Sequence, residues 1–179
     1  DQQKRFSHSV ENFLGLIATL QEQENDKLKI GIALHSLRAV PEKAIHEVLA
    51  GLSGRLPIHI HISEQMAEVN ECIATRNARP VQWLMDNVDV NQDWTLVHAT
   101  HLDDAEVASI AKSKATVAIC TTTEANLGDG FFRLRDFMAS GGAFGIGSDS
   151  NTSISPVEEL RWLEYGQRLL HQQRNIAVT

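Results

Sequence analysis

Cysteine and proline are scarce in this chain of 179 residues. The two cysteines, Cys72 and Cys120, lie far apart and outside any C-x-x-C spacing, so neither a disulfide framework nor a cysteine-rich metal site is indicated. Only four prolines occur, and no Pro-rich linker or low-complexity stretch divides the chain. We therefore expect one domain over residues 1–179, with two buried, reduced thiols as in a cytoplasmic protein.

Basic residues and long apolar runs are also few. Lys and Arg number 16 against 23 Asp and Glu, for a net charge of −7, and no Lys/Arg-rich run is present. This balance argues against a nucleic-acid surface. No apolar stretch reaches membrane-spanning length, and the opening Asp-Gln-Gln-Lys-Arg does not have the character of a signal peptide.

The chain does contain a regular alternation of strand-like and helix-like segments. Strands are predicted over residues 28–34, 57–62, 95–99, 116–121 and 143–147. Helices are predicted over residues 7–24, 41–50, 65–76, 80–87, 103–113, 132–139 and 156–174, with a loop from 122 to 131. Strict alternation implies a parallel sheet with helices packed outside it, and the near-continuous apolar character of the strands is typical of such sheets.

Three of the predicted strands end in side chains that can bind metal or transfer protons. His61 closes the run HIHI, His98 follows TLV, and Asp149 follows GIGS. The carboxyl ends of parallel strands meet at one edge, where a β/α barrel assembles its active site from several strands. The sequence therefore predicts a functional site that joins these three residues.

Their neighbours have their own interpretations. His59 lies two residues before His61 and so faces the same side of the strand; we predict it to be a buried neighbour of His61. Glu64, three residues after His61, can place a proton carrier beside a metal ligand. His101 is predicted to support the rim of the site. Asp149 either caps the following loop or joins His61 on a divalent ion, and zinc suits mixed His and Asp ligands.

Longer motifs resemble a known family. The segments HIHISEQ, LVHATH, TTTEANLGDG, GIGSDS and VEELRWLEYGQRL are similar to those of the amidohydrolase superfamily, and the resemblance extends over essentially the whole chain. It implies that His61 is a metal ligand and that Glu64, its H-x-x-E partner, is a proton shuttle. It further implies that His98 orients water and stabilises charge, and that Asp149 is both a metal ligand and the general base.

The segment HSLR, after the first predicted strand, resembles the substrate-anchoring motif of the same superfamily. His35 and Arg38 would hold a substrate carboxylate there, since a guanidinium binds a carboxylate in bidentate fashion. A plain surface cation is the alternative for Arg38. Ser63, where a small residue such as Ala is usual, and Asn151, where relatives often carry His, depart from the pattern without removing a predicted ligand.

The fold implied by the resemblance is an α/β, partial (β/α)8 TIM-type barrel of the metal-dependent hydrolase kind, with about strands four to eight. Superfamily members carry an H-x-H pair on the first strand, which has no counterpart here. We therefore expect the C-terminal part of a catalytic barrel, without the N-terminal strands and the accessory β-domain. One divalent metal ion, preferably zinc, is the implied cofactor, and its site is expected to be incomplete. The pattern of elements alone also fits an open flavodoxin-like sheet.

The activity implied by the resemblance is hydrolytic deimination of N-formimidoyl-L-glutamate to N-formyl-L-glutamate and ammonia, a step of histidine degradation. Deamination of a cyclic amidine such as guanine is the alternative among enzymes. An inactive folded fragment that lacks half the metal site is the alternative from another class. For the full-length protein we expect a small-molecule substrate, no nucleic-acid or membrane partner, a homodimer and a cytoplasmic location.

Overall fold

The computed structural model describes residues 7–178, and within them five strands alternate with helices. The strands are β1 (Ile32–Ser36), β2 (Ile58–Ile62), β3 (Trp94–His98), β4 (Thr116–Ile119) and β5 (Ala143–Ile146). The helices are α1 (Val10–Gln21), α2 (Glu42–Gly51), α3 (Met66–Arg76), α4 (Pro80–Asn87), α5 (Asp104–Ser113), α6 (Thr121–Leu127), α7 (Leu134–Ala139) and α8 (Pro156–His171). No helix of this described part is long and apolar enough to cross a membrane.

The five strands form one parallel sheet in the order β1-β2-β3-β4-β5. A flavodoxin-like sheet reverses direction at a switch point and has the order 2-1-3-4-5. In a β/α barrel, by contrast, each strand pairs with the next one along the chain. The sequential order therefore confirms the barrel-type α/β fold and excludes the flavodoxin-like alternative.

The two faces of the sheet differ in burial. Side chains toward the helices are covered, among them Leu34, Ile60 and Leu96 at 3%, 1% and 0% exposed. On the opposite face Ala33 and His59, which are paired in register, are exposed. The prediction that His59 is buried is wrong, because the described helices pack on the other face. The hydrophobic core thus lies between sheet and helices.

The first strand begins later than predicted, at Ile32 rather than at residue 28. Its pairing starts where the N–H of Ile32 donates to the carbonyl of Pro57, at 2.8 Å. β2 itself begins only after Pro57, so the residues before Ile32 have no strand beside them. The apolar run 28–31 therefore precedes the sheet instead of joining it.

Helix α6 replaces the first half of the predicted loop 122–131. Glu159 of α8, at 2% exposed, accepts hydrogen bonds from the Thr121 hydroxyl at 2.8 Å and the Thr122 N–H at 3.0 Å. A carboxylate at a helix N-terminus satisfies free N–H groups and interacts favourably with the helix dipole. The helix thus depends on a partner far along the chain. Cys72 and Cys120 are buried and free, as predicted.

Candidate metal and catalytic site

The predicted site residues lie at one edge of the sheet, where the strands reach their carboxyl ends. His61 is in β2, Glu64 follows that strand, His98 ends β3, and Asp149 follows β5. Two of these residues have positive φ, 68° at His98 and 53° at Asp149, and so does Ser63 next to Glu64, at 51°. Non-glycine residues in this region are held there by their surroundings, and they cluster at functional sites.

His61 is oriented by a backbone carbonyl. Its Nδ1 lies 2.9 Å from the carbonyl oxygen of His35, so Nδ1 carries the proton and donates it. Nε2 then keeps a lone pair, which is the arrangement that metal-binding histidines adopt. The ring lies between those of His35 and His98, with centroids 5.4 Å and 5.6 Å away.

His98 lies among three carboxylates. Its Nε2 is 3.6 Å from Glu64 Oε1 and 3.8 Å from Asp149 Oδ2. On the other side of the ring, Nδ1 lies 3.2 Å from Glu124 Oε1. In a regular strand, the His98 side chain would lie on the same face as Leu96, toward the helices. However, β3 ends at His98, where the backbone has a positive φ, and the ring stacks on that of His61. His98 therefore joins residues from β2 and from the segment after β5.

The charge of His98 follows from these contacts. Burial opposes protonation of the ring, but hydrogen bonds with Cys120 and Glu124 and the nearby charge of Glu64 outweigh it and raise the pKa of His98 to about 10. The imidazole is therefore cationic at neutral pH, with both N–H groups as donors. Burial raises the pKa of the Cys120 thiol, which keeps this sulfur protonated and a poor nucleophile.

Glu64 is half-buried, and its backbone is held by a second glutamate. Glu68, at 2% exposed, accepts the N–H of Ser63 on Oε1 at 3.0 Å and the N–H of Glu64 on Oε2 at 2.9 Å. Burial raises the pKa of the Glu68 carboxyl, while these two backbone bonds oppose the shift. The segment that carries Glu64 is thus fixed immediately after β2.

Asp149 lies in a turn that the neighbouring helix holds in place. The Thr123 hydroxyl donates to the carbonyl of Ser148 at 2.9 Å, and the N–H of Asn151 donates to the same carbonyl at 3.1 Å. The Asp149 side chain is 25% exposed. Its carboxylate faces His98, and among the described residues it accepts no backbone N–H of the following loop.

The donor chemistry of this edge fits a divalent metal ion. His61 offers a free Nε2 and Asp149 a carboxylate, which are ligand types that zinc accepts. Within residues 7–178, however, no group of three or more His, Cys, Asp or Glu side chains is arranged to hold a metal ion. Catalytic zinc sites use three protein ligands, so His61 and Asp149 would form part of such a site.

The two predicted substrate-binding residues differ in placement. The ring of His35 lies beside that of His61, and its Nδ1 is 3.0 Å from the Ser36 hydroxyl. Arg38 is exposed and follows β1 in a turn. It lines a cleft of about 400 Å³ together with Glu68 and Arg76, and it makes no hydrogen bond or ion pair with the described site residues. The structure therefore brings His35, but not Arg38, to the histidine cluster.

His101 lies at the rim of the edge, engaged with the loop after α6. Its Nε2 donates to the carbonyl of Asp129 at 2.7 Å, and its own carbonyl accepts a bond from Arg79 at 2.6 Å. Asp129 in turn accepts a hydrogen bond from Gln65 at 2.8 Å. His101 thus binds the loop after α6 through its ring and the Arg79 side chain through its carbonyl.

Two buried glutamates of this site, Glu68 and Glu124, were not singled out from the sequence. Glu124 accepts the N–H of Cys120 at 2.9 Å as well as contacting His98. It belongs to the motif TTTEANLGDG, and Glu68 is a first-turn acid of the helix after HIHISEQ. Each is an acidic residue in the first turn of a helix that follows a strand of the sheet, but this position alone does not show which group the carboxylate reaches.

The fold and this edge together define a class: a β/α-barrel protein with a candidate metal site at the carboxyl ends of its strands. More particularly, residues 2–178 match the amidohydrolase family, and the chain belongs to that family. The resemblance of its motifs to this superfamily is thereby confirmed.

Individual relatives agree with this assignment. A formimidoylglutamate deiminase from Pseudomonas aeruginosa is 53% identical over 97% of this chain and 38% of its own length. An amidohydrolase from Brucella melitensis superposes with a TM-score of 0.93 at 46% identity, over 99% of this chain and 40% of its own. An adenosine deaminase from Xanthomonas campestris with bound zinc has a TM-score of 0.85 at 20% identity, over 93% of this chain and 39% of its own, which shows the fold alone. The chain thus spans about two fifths of these relatives.

Proposed function

We propose that the full-length protein hydrolyses N-formimidoyl-L-glutamate to N-formyl-L-glutamate and ammonia. The observation that carries this proposal is the convergence of Glu64 and Asp149 on Nε2 of His98, beside His61. Two carboxylates and a cationic imidazole at one point can accept, relay and stabilise charge during attack of water on an amidine carbon. The similarity to the Pseudomonas aeruginosa deiminase supports this substrate.

The proposed site includes one divalent ion, preferably zinc, which is the ion in the Xanthomonas campestris relative. His61 Nε2 and the Asp149 carboxylate would hold it, and in a protein of the relatives' length the remaining ligands would come from outside the matched region. Such an ion supplies Lewis acidity, which polarises the substrate and acidifies water.

The side chains have separate proton-transfer roles in this proposal. Asp149 accepts the proton of the attacking water, and Glu64 delivers a proton to the nitrogen that leaves as ammonia. General acid–base assistance of this kind is worth about 10²–10⁴-fold in rate. His98, charged and held on Glu124, stabilises negative charge that develops next to its Nε2. Water supplies the oxygen that replaces nitrogen on the carbon.

Substrate anchoring is assigned to His35 and Arg38. His35 lies against His61, while Arg38 is an exposed cation on the turn after the same strand. A guanidinium at the end of a mobile side chain can reach a glutamate carboxylate and bind it in bidentate fashion. Arg38 therefore has to move from the cleft beside α3 when the substrate binds.

The decisive experiment replaces Glu64 with Gln in the full-length protein. We expect turnover of N-formimidoyl-L-glutamate to fall by about 10²–10⁴-fold, while metal content by mass spectrometry stays near that of the parent. Glu71→Gln, an exposed glutamate on α3, is the matched control and should leave both quantities unchanged. Loss of metal together with activity in Glu64→Gln would reject the proton-relay role.

Deamination of a cyclic amidine such as guanine is the second candidate, and the structure favours it less. Planar bases bind best where aromatic rings stack on them. Among the described residues, the ring pairs at this edge are His35–His61 and His61–His98, and no Phe, Trp or Tyr stacks there. Faster turnover of guanine than of N-formimidoyl-L-glutamate by the full-length protein would reverse this order.

A further inference from the structure

One buried carboxylate beside the site has no part in the proton transfers described above. Glu68 is the third residue of α3 and is 2% exposed. Both of its carboxylate oxygens accept backbone N–H groups, one from Ser63 and one from Glu64, at 3.0 Å and 2.9 Å. A glutamate in the first turn ordinarily reaches back to the N-cap residue of its own helix. Here the N-cap is Gln65, and Glu68 reaches past it.

Helix α5 shows the ordinary arrangement in the same molecule. Glu106 is likewise the third residue of its helix and is likewise 2% exposed. It accepts the N–H of its N-cap residue, Asp103, at 3.0 Å, and the Asp103 carboxylate accepts the N–H of Glu106 at 2.8 Å. This is a complete capping box, which serves the helix itself. Glu68 therefore departs from a pattern that the chain uses elsewhere.

The two N–H groups held by Glu68 belong to the segment that turns from β2 toward α3. Ser63 has a φ of 51°, a conformation that a non-glycine residue keeps only when its surroundings impose it. Its carbonyl accepts the N–H of His101 at 3.0 Å, so this peptide is held on both sides. The direction in which the Glu64 side chain leaves the backbone follows from this local conformation.

We propose that Glu68 is a positioning residue, which fixes the backbone of Ser63 and Glu64 so that the Glu64 carboxylate faces Nε2 of His98. This inference rests on the proposed function, since it concerns how Glu64 is presented for proton transfer. Glu68 acts through Glu64, and its effect is on the chemical step rather than on substrate binding. Both oxygens are required, because two separate N–H groups must be held at once.

Glu68→Gln is a sharp probe of this requirement. The amide has the shape of the carboxylate but only one acceptor oxygen, and its NH₂ group would face one of the two backbone N–H groups. One of the bonds to Ser63 and Glu64 is therefore lost without a change in volume. Glu164→Gln applies the same chemical change to a glutamate of α8 that likewise accepts two backbone N–H groups, from Ile176 and Ala177, and is the matched control.

Two measurements on the full-length protein test the proposal. In Glu68→Gln, we expect kcat for N-formimidoyl-L-glutamate to fall by about 10–100-fold with KM changed by less than about threefold, the size of effect typical of residues that orient a catalytic group. Hydrogen exchange of the Ser63 and Glu64 amides should accelerate by about tenfold or more. Glu164→Gln should leave kcat and both amides as in the parent.

The opposite results are equally clear. An unchanged kcat in Glu68→Gln, or an equal loss in Glu164→Gln, overturns the proposal. If the parent itself does not turn over the substrate, the proposed function fails, and amide exchange alone then decides the positioning role: unchanged exchange at Ser63 and Glu64 rejects it. If Glu68→Gln does not fold, Glu68→Asp, which keeps the charge but shortens the reach by one methylene, is measured against the same criteria.

Discussion

His59 and His61 are two residues apart on the same face of β2, yet their surroundings differ. His61 is fixed by the carbonyl of His35 and stacks on His98. His59 is exposed, and no described side chain orients it. Because a ligand must present a lone pair in a defined direction, only His61 is suited to hold a metal ion.

This contrast gives a direct test of the metal site. In the full-length protein, His61→Ala should lower zinc affinity by at least about tenfold, because a ligand with an oriented Nε2 is removed. His59→Ala, which deletes the same ring two residues earlier, should leave zinc affinity unchanged. Equilibrium dialysis with zinc analysis measures both variants, and equal losses would show that His61 is not a specific ligand.

Gly142 is a second residue whose role follows from its immediate contacts. A Cβ at this position would lie 2.4 Å from Cζ of Phe137. Phe137 is 0% exposed and packs edge-on against Phe132 at 5.3 Å, so its ring cannot move aside. Gly142→Ala should therefore lower the free energy of unfolding by about 1–3 kcal/mol, as measured by urea denaturation.

Gly15 is the control for that substitution. It lies within α1, and a Cβ there would meet nothing within 4 Å. Gly15→Ala should raise the free energy of unfolding by about 0.5–1 kcal/mol, because Gly is a poorer helix former than Ala. A destabilising effect of similar size at both positions would contradict the packing explanation for Gly142.

The sequence was informative about residues that carry chemistry and less so about residues that support them. Strand periodicity and the ends of apolar runs were enough to select His61, His98 and Asp149, which the structure brings to one edge. Glu68 and Glu124 escaped notice because an acid in the first turn of a helix usually serves that helix alone. Which backbone or ring such a carboxylate reaches depends on tertiary packing, and local spacing does not encode it.

At the scale of elements, local signals set most boundaries. Pro80 opens α4, Asp103 caps α5 and Pro156 opens α8, so these helices begin where they were expected. The two misjudged segments depend on distant partners. β1 begins only where the N–H of Ile32 can bond the carbonyl of Pro57, immediately before β2, and α6 begins where Glu159 of α8 accepts the N–H of Thr122. Neither partner is visible within a local window of sequence.

Helix α8 also holds the segment that follows it, through Glu164. This carboxylate accepts the N–H of Ile176 at 3.1 Å and the N–H of Ala177 at 2.8 Å, and it pairs with Arg168 at 2.6 Å. Burial opposes its charge, but these hydrogen bonds outweigh burial and lower the pKa of Glu164 below 4.5. The charged form is therefore the one that anchors the segment.

The sign of the pH dependence follows. A carboxyl group with a lowered pKa contributes its full stabilisation above its ordinary value, and that contribution is lost as the pH falls through the lowered pKa. Anchoring of residues 176 and 177 should thus be intact at pH 6 to 7 and weaken below about pH 4.5. The amide chemical shifts of Ile176 and Ala177 would report this transition. Glu164→Gln should abolish it, and a transition that persists in this variant would assign it to another group.

On the scale of the whole molecule, the sheet ends in two edge strands, β1 and β5. Edge strands with free N–H and C=O groups pair with other chains unless charge or proline blocks them. The chain of 179 residues should therefore self-associate with increasing concentration.

Sedimentation velocity over a range of protein concentrations measures this self-association. Ala33→Lys, a charge on edge strand β1, should shift the chain to monomer, whereas Ala74→Lys on exposed α3 should not. Monomers at all concentrations would contradict the open-edge interpretation.

Other properties of the full-length protein stay predictions. A homodimer, the single-domain description and a cytoplasmic location follow from the resemblance and from composition. Sedimentation equilibrium of the full-length protein, measured beside the isolated chain, separates a dimer of whole barrels from association through open strand edges. The incomplete metal site predicted for the isolated chain is tested in the same preparation by its zinc content, and tight, stoichiometric zinc in a monomer would contradict it.

The division between the two faces of the sheet has an evolutionary consequence. Residues that hold the fold together point toward the helices, whereas residues that can carry chemistry gather where the strands end, outside that packing. Substitutions at the carboxyl edge can therefore accumulate without eroding the core, and the scaffold stays available while its reaction changes. A lineage built in this way can acquire a new substrate before it has lost the ability to fold. This helps to explain how proteins that share only about a fifth of their residues with this chain retain the same arrangement of strands.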